Sequence, residues 1–224
     1  MAVASTFSLS PGRKTAWIAM PVVVLLATCP LRATGVLDQA EVELGFRSLF
    51  NGRDLGGWDG DPALWSVRDG AIVGSSDHAP LSQNSFLISN GSYADFELRF
   101  EVSLRNGNSG MQFRSERTEG WTVRGYQADL AVGKGWGNLH GEGLPRGLIL
   151  DGWQDKSEFL VREGWNEVAI LCAGHRIRIT VNGTVVTDVL DPGPLQGVLA
   201  MQLHRGESMQ VEFRRIRILE RRAE

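Results

Sequence analysis

Hydrophobic and polar residues alternate through much of the chain after residue 45, which predicts a protein built from β-strands. The clearest case is the segment 96–104. Its apolar residues occupy every second position and are Phe96, Leu98, Phe100, Val102 and Leu104. The residues between them are polar, so the segment is predicted to be a strand with one buried face. In the segment 175–189, Ile177, Ile179 and Val181 repeat the pattern.

Turn residues separate these runs. Asp69-Gly70 and Asn182-Gly183 each stand between two extended runs and predict β-hairpins. The runs 197–205 and 209–219 are predicted to form a further strand pair, joined through Gly206-Glu207. There is no long helical period and no internal repeat. Because strand lengths vary and turns are irregular, we expect an all-β, two-sheet antiparallel sandwich rather than a barrel.

The N-terminal segment has a different character. Arg13 and Lys14 precede an apolar run over residues 16–29, which is shorter than the roughly 20 residues of a membrane span. A charged start, a short apolar middle and the small residues around Gly35 predict an export signal. A lipoprotein signal centred on Cys29 and a retained membrane anchor are the alternatives. We therefore assign 1–35 to a signal or anchor, 36–44 to a linker that could also be a short helix, and 45–220 to the domain.

Composition and charge exclude one class of partner and an internal disulfide. The chain has 224 residues, 42% hydrophobic and 22% charged, with a net charge of −3 and no basic block, so nucleic acid is not expected as a partner. Without residues 1–35, Cys172 is the only cysteine, and no internal disulfide can form. Cys172 lies in a predicted strand and is interpreted as a small buried hydrophobe rather than a nucleophile.

Three predicted strands carry hydrogen-bonding side chains on the face opposite their apolar residues. These polar residues are Gln112, Arg114 and Glu116, then Gln127 and Asp129, then Gln202 and His204. Such faces could simply meet water. Solvated faces, however, are usually rich in Lys, which is absent here. Amides, carboxylates and a guanidinium suit a sheet face that recognises a polyhydroxyl ligand, so carbohydrate is the expected partner.

The glycine-rich loop 132–143 brings further candidates. Trp136 could stack on a sugar face, and His140 and Glu142 could reach over the sheet. The alternatives are a rim hydrophobe and a surface carboxylate. Asp129, Glu142, His140 and His204 could together bind a divalent cation, although their spacing matches no metal motif. There is no nucleophile elbow, phosphate loop or HExxH sequence.

An ordered set of segments resembles a known family. The segments are FRSLFNGRDLGGW, ADFELRFEV, GNSGMQFRSE, RGYQADL, WGNLHGEG, GWNEVAI, VNG and GVLAMQLHRGESMQVEFRRIRI. Over about 45–219 they resemble the 3-keto-disaccharide hydrolases, also described as 3-keto-glucoside 1,2-lyase or 3-keto-2-hydroxyglucal hydratase domains. The resemblance implies a concanavalin A-like jelly roll, export from the cytoplasm to the periplasm, cell exterior or outer side of a membrane, and substrates already oxidised to a ketone at sugar carbon 3.

The implied reaction needs a base, an acid and a group that stabilises an enolate. A ketone at C3 acidifies the C2 proton, whose removal expels the glycosidic group from C1, and water then adds to the unsaturated sugar. The expected activity is therefore that of an exported 3-keto-glycoside lyase or hydrolase. A non-catalytic glycan-binding module on the same sheet face is the alternative.

The resemblance also suggests roles for individual residues. Asp129 or Glu142 would be the base, and His204 or His140 its proton partner. The residues expected to bind substrate are Asn108, Gln112, Arg114, Gln127, Trp136 and Gln202. This chain has Tyr126-Gln127-Ala128-Asp129 where many members have Tyr-Glu-x-Gln, and Leu139-His140-Gly141-Glu142 where they often have Leu-Tyr-Asp-Glu. A phenol and one acid of the family pattern are thus missing.

Overall fold

A computed structural model describes residues 37–78, 80–133, 135–153 and 160–221. The predicted signal or anchor, 1–35, lies outside the described residues. Within the described part of the chain, no helix is long and apolar enough to cross a membrane. The elements there are α1 Gln39–Leu44, β1 Arg47–Ser48, β2 Trp58–Asp59, β3 Trp65–Arg68, β4 Ala71–Ser75, β5 Ser85–Ser89, β6 Phe96–Leu104, β7 Asn108–Arg117, β8 Val123–Ala131, β9 Leu139–Glu142, β10 Gly147–Leu150, β11 Asn166–Ala173, β12 Arg176–Val181, β13 Thr184–Leu190, β14 Val198–Leu203 and β15 Gln210–Glu220.

The strands form two antiparallel sheets. In sheet A the order is β13-β12-β11-β6-β15-β4-β3, with β1 paired to β15. In sheet B the order is β10-β9-β8-β7-β14-β5-β2. Apolar side chains from both sheets form one core, and the predicted antiparallel sandwich is confirmed.

The predicted alternation decides which face of each strand is buried. Phe96, Leu98, Phe100 and Val102 of β6 are fully buried. Burying one such side chain contributes about 1.5–3 kcal/mol. Cys172 of β11 is buried as expected, and burial raises the pKa of its thiol to about 12.

The two predicted hairpins are also confirmed. Asp69 and Gly70 join β3 to β4 with φ angles of 51° and 74°. Asn182 and Gly183 join β12 to β13 with φ angles of 48° and 84°. Consecutive positive φ angles are what a two-residue hairpin turn requires, and Asp, Asn and Gly tolerate them best.

The predicted pairing of the last two strands is wrong. β14 lies between β7 and β5 in sheet B, whereas β15 lies between β6 and β4 in sheet A. The segment 204–209 therefore connects the two sheets instead of turning a hairpin. The backbone N–H of His204 donates to Met209 Sδ at 3.3 Å. His204 thus stands where the chain leaves sheet B.

The predicted position of Arg114 on the polar face is also wrong. Arg114 has a φ of 47° at an irregularity in the β7–β8 register, and this turns its side chain away from that face. The guanidinium donates to Ala94 O at 2.8 Å, Gly174 O at 2.7 Å and Asp95 Oδ1 at 2.8 Å. Arg114 is fully buried, and it ties sheet B to two turns of sheet A.

The segment predicted as a linker contains the helix α1. Asp38 and Glu41 form a capping box at its start, and Gly45 ends it with a φ of 90°. The Glu41 carboxylate is buried and accepts a hydrogen bond from Arg217 of β15. It also pairs with Arg215 at 3.6 Å. These ion pairs hold α1 on sheet A.

Replacing Arg114 should destabilise the fold. In Arg114→Ala, two carbonyl groups and the Asp95 carboxylate lose their donor, which should lower the free energy of unfolding by about 3 kcal/mol. Arg124→Ala is the matched control, because Arg124 makes an exposed ion pair with Glu116 and should cost less than about 1 kcal/mol. Urea denaturation of both variants measures the difference, and equal midpoints would contradict the tie between the sheets.

Candidate functional site

The face of sheet B that points away from the core gathers most of the predicted polar residues. Pairing of β7 with β8 sets Gln112 opposite Gln127, and pairing of β8 with β9 sets Gln127 opposite His140. Gln202 extends from β14 on the same face. We call this set the polar face: Gln112, Gln127, Asp129, His140, Glu142 and Gln202.

A chain of hydrogen bonds between side chains leads to Asp129. Ser115 Oγ donates to Gln112 Oε1 at 2.9 Å, Gln112 Nε2 donates to Gln127 Oε1 at 2.6 Å, and Gln127 Nε2 donates to Asp129 Oδ1 at 2.8 Å. The two glutamines are 0% and 2% exposed, so they orient Asp129 instead of meeting a ligand. The sequence correctly places them on this face, but their predicted contact with substrate is not supported by this burial.

Gly110 makes room for this chain. It lies opposite Asp129 in the β7–β8 register, and a Cβ atom there would collide with Cγ and Cδ of Gln127. Any larger residue at position 110 would therefore displace the Gln127 amide, and with it the donor that holds Asp129.

Asp129 lies in an environment that favours its protonated form. Burial raises the pKa of Asp129 above its ordinary value, and the negative charge of Glu142 adds to the rise. The hydrogen bond from Gln127 and the charges of His140 and His204 oppose it. The β8–β9 register places Asp129, His140 and Glu142 on the same face of sheet B, and His140, Glu142 and His204 line a common cavity.

Glu142 is held by two amides. Asn84 Nδ2 donates to Glu142 Oε1 at 3.1 Å, and Gln202 Nε2 donates to Glu142 Oε2 at 3.2 Å. Asn84 is in turn fixed by the backbone N–H of Arg205, which donates to its Oδ1 at 2.9 Å. The sequence reasoning missed Asn84, because it precedes β5 in a segment without alternation.

A cavity of about 390 Å³ opens beside the carboxylate of Glu142. Its lining residues are Gln83, Asn84, Phe86, Thr122, Val123, His140, Glu142, His204 and Arg205. This volume suits a small ligand such as a sugar. Sequence reasoning also missed Arg205. Its guanidinium group supplies the positive charge at the cavity that the sequence predicted for Arg114.

The contact that His204 makes determines its tautomer. Nδ1 of His204 lies 2.7 Å from Arg205 O. Since a carbonyl oxygen only accepts, this hydrogen bond requires a proton on Nδ1. In the neutral ring Nε2 is then an acceptor, and in the protonated ring it is a donor. His204 can therefore exchange a proton through Nε2.

Two buried acceptors have no donor among the described residues. They are Oε1 of Gln202 and Oδ1 of Asn108. Buried amide oxygens are normally hydrogen-bonded, so these two are exceptions among the buried polar atoms of the domain. Both oxygens are buried, and Gln202 is 0% exposed like Gln112, so the predicted contacts of Gln202 and Asn108 with substrate stay predictions.

Trp136 does not lie over the polar face. It is 3% exposed and packs in the core, so the predicted stacking on a sugar is wrong. The cause is the path of the loop after β8: Gly137 N donates to Asp129 O at 2.8 Å, and Asp129 N donates to Asn138 O at 3.0 Å. These bonds fold the loop back along β8 and bury Trp136.

An ion pair fixes the hairpin that carries His140 and Glu142. Arg146, in the turn between β9 and β10, donates to both oxygens of Asp191 at 2.6 and 2.8 Å. The hydroxyl group of Tyr126 also donates to Asp191. The hydrogen bonds from Arg146 lower the pKa of the Asp191 carboxyl to about 2, against the effect of burial, so Asp191 stays ionised at neutral pH.

The described residues contain no group of three or more His, Cys, Asp or Glu side chains arranged to hold a metal ion. In the part of the chain that the structure describes, Asp129, His140, Glu142 and His204 are therefore not arranged as a set of metal ligands.

Comparison with solved structures identifies the fold. A provisionally named glycosyl hydrolase from Parabacteroides distasonis is similar with a TM-score of 0.64 and 20% identity, over 84% of this chain and 100% of that chain. The carbohydrate-binding module CBM66 from Bacillus subtilis is similar with a TM-score of 0.53 and 16% identity, over 72% and 94%. A β-glucanase from Bacillus licheniformis is similar with a TM-score of 0.51 and 13% identity, over 79% and 97%. The predicted concanavalin A-like jelly roll is confirmed.

Comparison of sequences identifies the family. No curated protein matches the chain. Residues 45–219 match the model of the 3-keto-alpha-glucoside-1,2-lyase-like domain, which supports the predicted family and a carbohydrate-related function. Because this match covers most of the chain, the protein belongs to the family of 3-keto-alpha-glucoside-1,2-lyase-like domains.

Proposed function

We propose that the protein cleaves glycosides that carry a ketone at sugar carbon 3, by elimination and rehydration. The observation that carries this proposal is the position of Asp129, a half-buried carboxylate with a raised pKa, on the face of sheet B that also carries His140 and Glu142. Carboxylates with raised pKa values are suited to take and return protons near neutral pH. Family membership supports the substrate class.

The proposed reaction balances without a redox partner. A base takes the proton at C2, and the electrons of the C2–H bond form an enolate with the C3 ketone. The enolate then restores the ketone and forms a C1–C2 double bond as the C1–O bond breaks. The departing oxygen takes a proton from an acid. Water finally adds its hydroxyl group to C1 and a proton to C2, so the net change is hydrolysis.

The hydrogen bonds favour Asp129 over Glu142 as the base. Both oxygens of Glu142 accept hydrogen bonds from amides, whereas Asp129 accepts one from Gln127 through Oδ1. Oδ2 of Asp129 accepts no hydrogen bond within the described part of the chain and is available for the proton. Glu142 acts through its charge, which makes Asp129 more basic.

The remaining roles fall to residues that line the cavity. Nε2 of His204 can protonate the departing oxygen, with His140 as the second candidate for this role. The guanidinium of Arg205 can stabilise the enolate oxygen, as an always-charged donor at the cavity.

Asp129→Asn should remove turnover of a 3-keto-glycoside almost completely. Asn cannot take the C2 proton, so kcat should fall by about 100-fold or more. Release of the aglycone, followed by mass spectrometry with and without a chelator, measures the effect and tests metal dependence. Arg124→Ala, an exposed change on the same strand, is the control and should retain full activity. Normal turnover in Asp129→Asn would exclude Asp129 as the base.

The same substitution should not destabilise the fold at neutral pH. The pKa of Asp129 is higher in the folded state than in the unfolded state, so between these two values the folded state binds more protons. The contribution of Asp129 to the free energy of unfolding therefore decreases as the pH rises through this range. Asn can still accept the hydrogen bond from Gln127 without burying a charge. Urea denaturation should therefore show equal stability at low pH and a more stable Asp129→Asn variant at neutral pH. Loss of stability at neutral pH would contradict the electrostatic assignment.

The activity should fall at acidic pH. The base must be ionised, so kcat/KM should decrease as the pH falls through the raised pKa of Asp129, at a midpoint above the ordinary value of about 3.9 for aspartate. A pH profile of kcat/KM measures this midpoint. A rate that is constant over the acidic range would argue against a carboxylate base of raised pKa.

Asn84→Ala should lower kcat. It removes the donor to one Glu142 oxygen, so the Glu142 charge is less firmly placed beside Asp129. We expect kcat to fall by about tenfold, the usual worth of one hydrogen bond to a charged group. Comparison of kcat and KM with those of the native protein is the measurement, and an unchanged kcat would show that Asn84 has no positioning role.

A non-catalytic glycan-binding module is the second candidate, and the same polar face would serve it. The shared fold of a carbohydrate-binding module gives it a structural precedent. Calorimetry with unoxidised oligosaccharides distinguishes the two functions. Tight binding without turnover of the 3-keto compound would favour the module.

We also propose that the protein is exported, on the basis of the charged and apolar segments within residues 1–35. Mass spectrometry of the protein purified from cells would show whether the chain is cleaved near Gly35, modified at Cys29 or retained whole.

A further inference from the structure

Four Asn-Gly pairs occur in the sequence, and each lies in the described part of the chain between two strands. They are Asn51-Gly52, Asn90-Gly91, Asn106-Gly107 and Asn182-Gly183. Asparagine is chemically labile, most of all before glycine, because the glycine nitrogen can attack the side-chain carbonyl carbon without hindrance from a Cβ atom. The attack requires an asparagine side chain that can turn and a glycine nitrogen that is accessible.

The side chain of Asn51 cannot turn freely. Its Nδ2 donates to Asp54 Oδ1 at 2.7 Å. Its Oδ1 accepts from the backbone N–H groups of Arg53 at 2.8 Å and Asp54 at 3.0 Å. Attack by Gly52 therefore requires that hydrogen bonds at both ends of this amide break first.

Asn106 and Asn182 are held in a similar way. Asn106 Nδ2 donates to Ser208 O at 2.7 Å. Asn182 Nδ2 donates to Asn166 Oδ1 at 2.8 Å, and Asn182 Oδ1 accepts from the backbone N–H of Glu167 at 2.9 Å. Each side chain loses at least one hydrogen bond when it turns toward its glycine, and this loss slows the reaction.

Asn90 differs from the other three, because its side chain is exposed and unrestrained. Within the described residues, this side chain takes part in no hydrogen bond, ion pair or ring contact. The backbone N–H of Gly91 likewise donates to no described acceptor. Asn90-Gly91 therefore combines a side chain that can turn with an accessible glycine nitrogen.

We propose that Asn90 is a site of spontaneous deamidation in the folded protein. The nitrogen of Gly91 forms a bond to Cγ of Asn90, and the side-chain amide leaves as ammonia, which takes up the proton that the Gly91 nitrogen loses. Water then opens the resulting cyclic imide at either of its carbonyl groups. The products are aspartate and isoaspartate at position 90, and the net reaction consumes water and releases ammonia.

Modification at position 90 affects the start of β14. Ser89 Oγ donates to Gly91 O at 3.0 Å and accepts from the backbone N–H of Leu199 at 3.0 Å. Tyr93 and Gly197 exchange two backbone hydrogen bonds, of 2.8 and 3.1 Å. Isoaspartate routes the chain through Cβ and Cγ, which lengthens the backbone between Ser89 and Gly91 and disturbs these contacts. The isoaspartate form should therefore unfold at a lower temperature than the native protein.

Incubation of the purified protein at neutral to mildly alkaline pH, followed by peptide mass spectrometry, measures deamidation at each pair. In the folded protein, Asn90 should react about tenfold faster than Asn51, Asn106 or Asn182, the usual worth of one hydrogen bond that must break first. Urea removes these hydrogen bonds, so the four pairs should react at similar rates in urea. A faster reaction at another pair of the folded protein, or an unreactive Asn90 in the folded protein, would overturn the proposal.

Two variants separate the chemistry from its structural effect. Asn90→Gln should stop the reaction at this position and leave the rates at the other pairs unchanged, because the longer side chain does not form the same ring. Freshly prepared Asn90→Asp carries the new charge without the lengthened backbone and should unfold at the native midpoint. Incubation should lower the unfolding midpoint of the native protein but not that of Asn90→Gln, and equal losses in both would contradict the effect on β14. Failure of the enzymatic proposal would leave these results unchanged, since none of them measures turnover.

Discussion

The site depends on the one-way chain of hydrogen bonds that runs from Ser115 through Gln112 and Gln127 to Asp129. Each glutamine uses its oxygen to accept from one neighbour and its nitrogen to donate to the next. A buried amide chain of this kind is rigid, since breaking any link leaves an unpaired polar group in a region that water does not reach. Asp129 is thereby held with one oxygen occupied and the other available.

The rest of the sandwich keeps this chain in place from behind. Arg114 ties β7 to turns of sheet A, and Arg146 ties the β9–β10 hairpin to Asp191. Tyr126 donates to the same Asp191 and is the strand neighbour of Gln127. Both ion pairs connect the two sheets. The positions of the carboxylates on sheet B therefore depend on contacts with sheet A and not on sheet B alone.

Alternation with a period of two predicted the polar face correctly wherever the strands are regular, and prediction failed where the period breaks. Gln127, Asp129 and Gln202 were correctly placed opposite the apolar residues, because one face of each strand had to be buried. Arg114 was misplaced, because a positive φ breaks the register of β7 at that residue. Trp136 and Asn84 lie in loops, whose path depends on long-range hydrogen bonds that no local pattern encodes.

The geometry of β8 explains how this chain can have Tyr126-Gln127-Ala128-Asp129 in place of the Tyr-Glu-x-Gln pattern. A carboxylate moved by two residues stays on the same strand face but shifts by about 7 Å along it. At position 129 it lies opposite Gly110, whose missing side chain leaves space for the amide that position 127 now carries. The amide and the carboxylate have in effect exchanged positions, and the glycine permits the hydrogen bond between them. A changed motif can therefore keep a carboxylate on this face, provided that the neighbouring strand supplies the space.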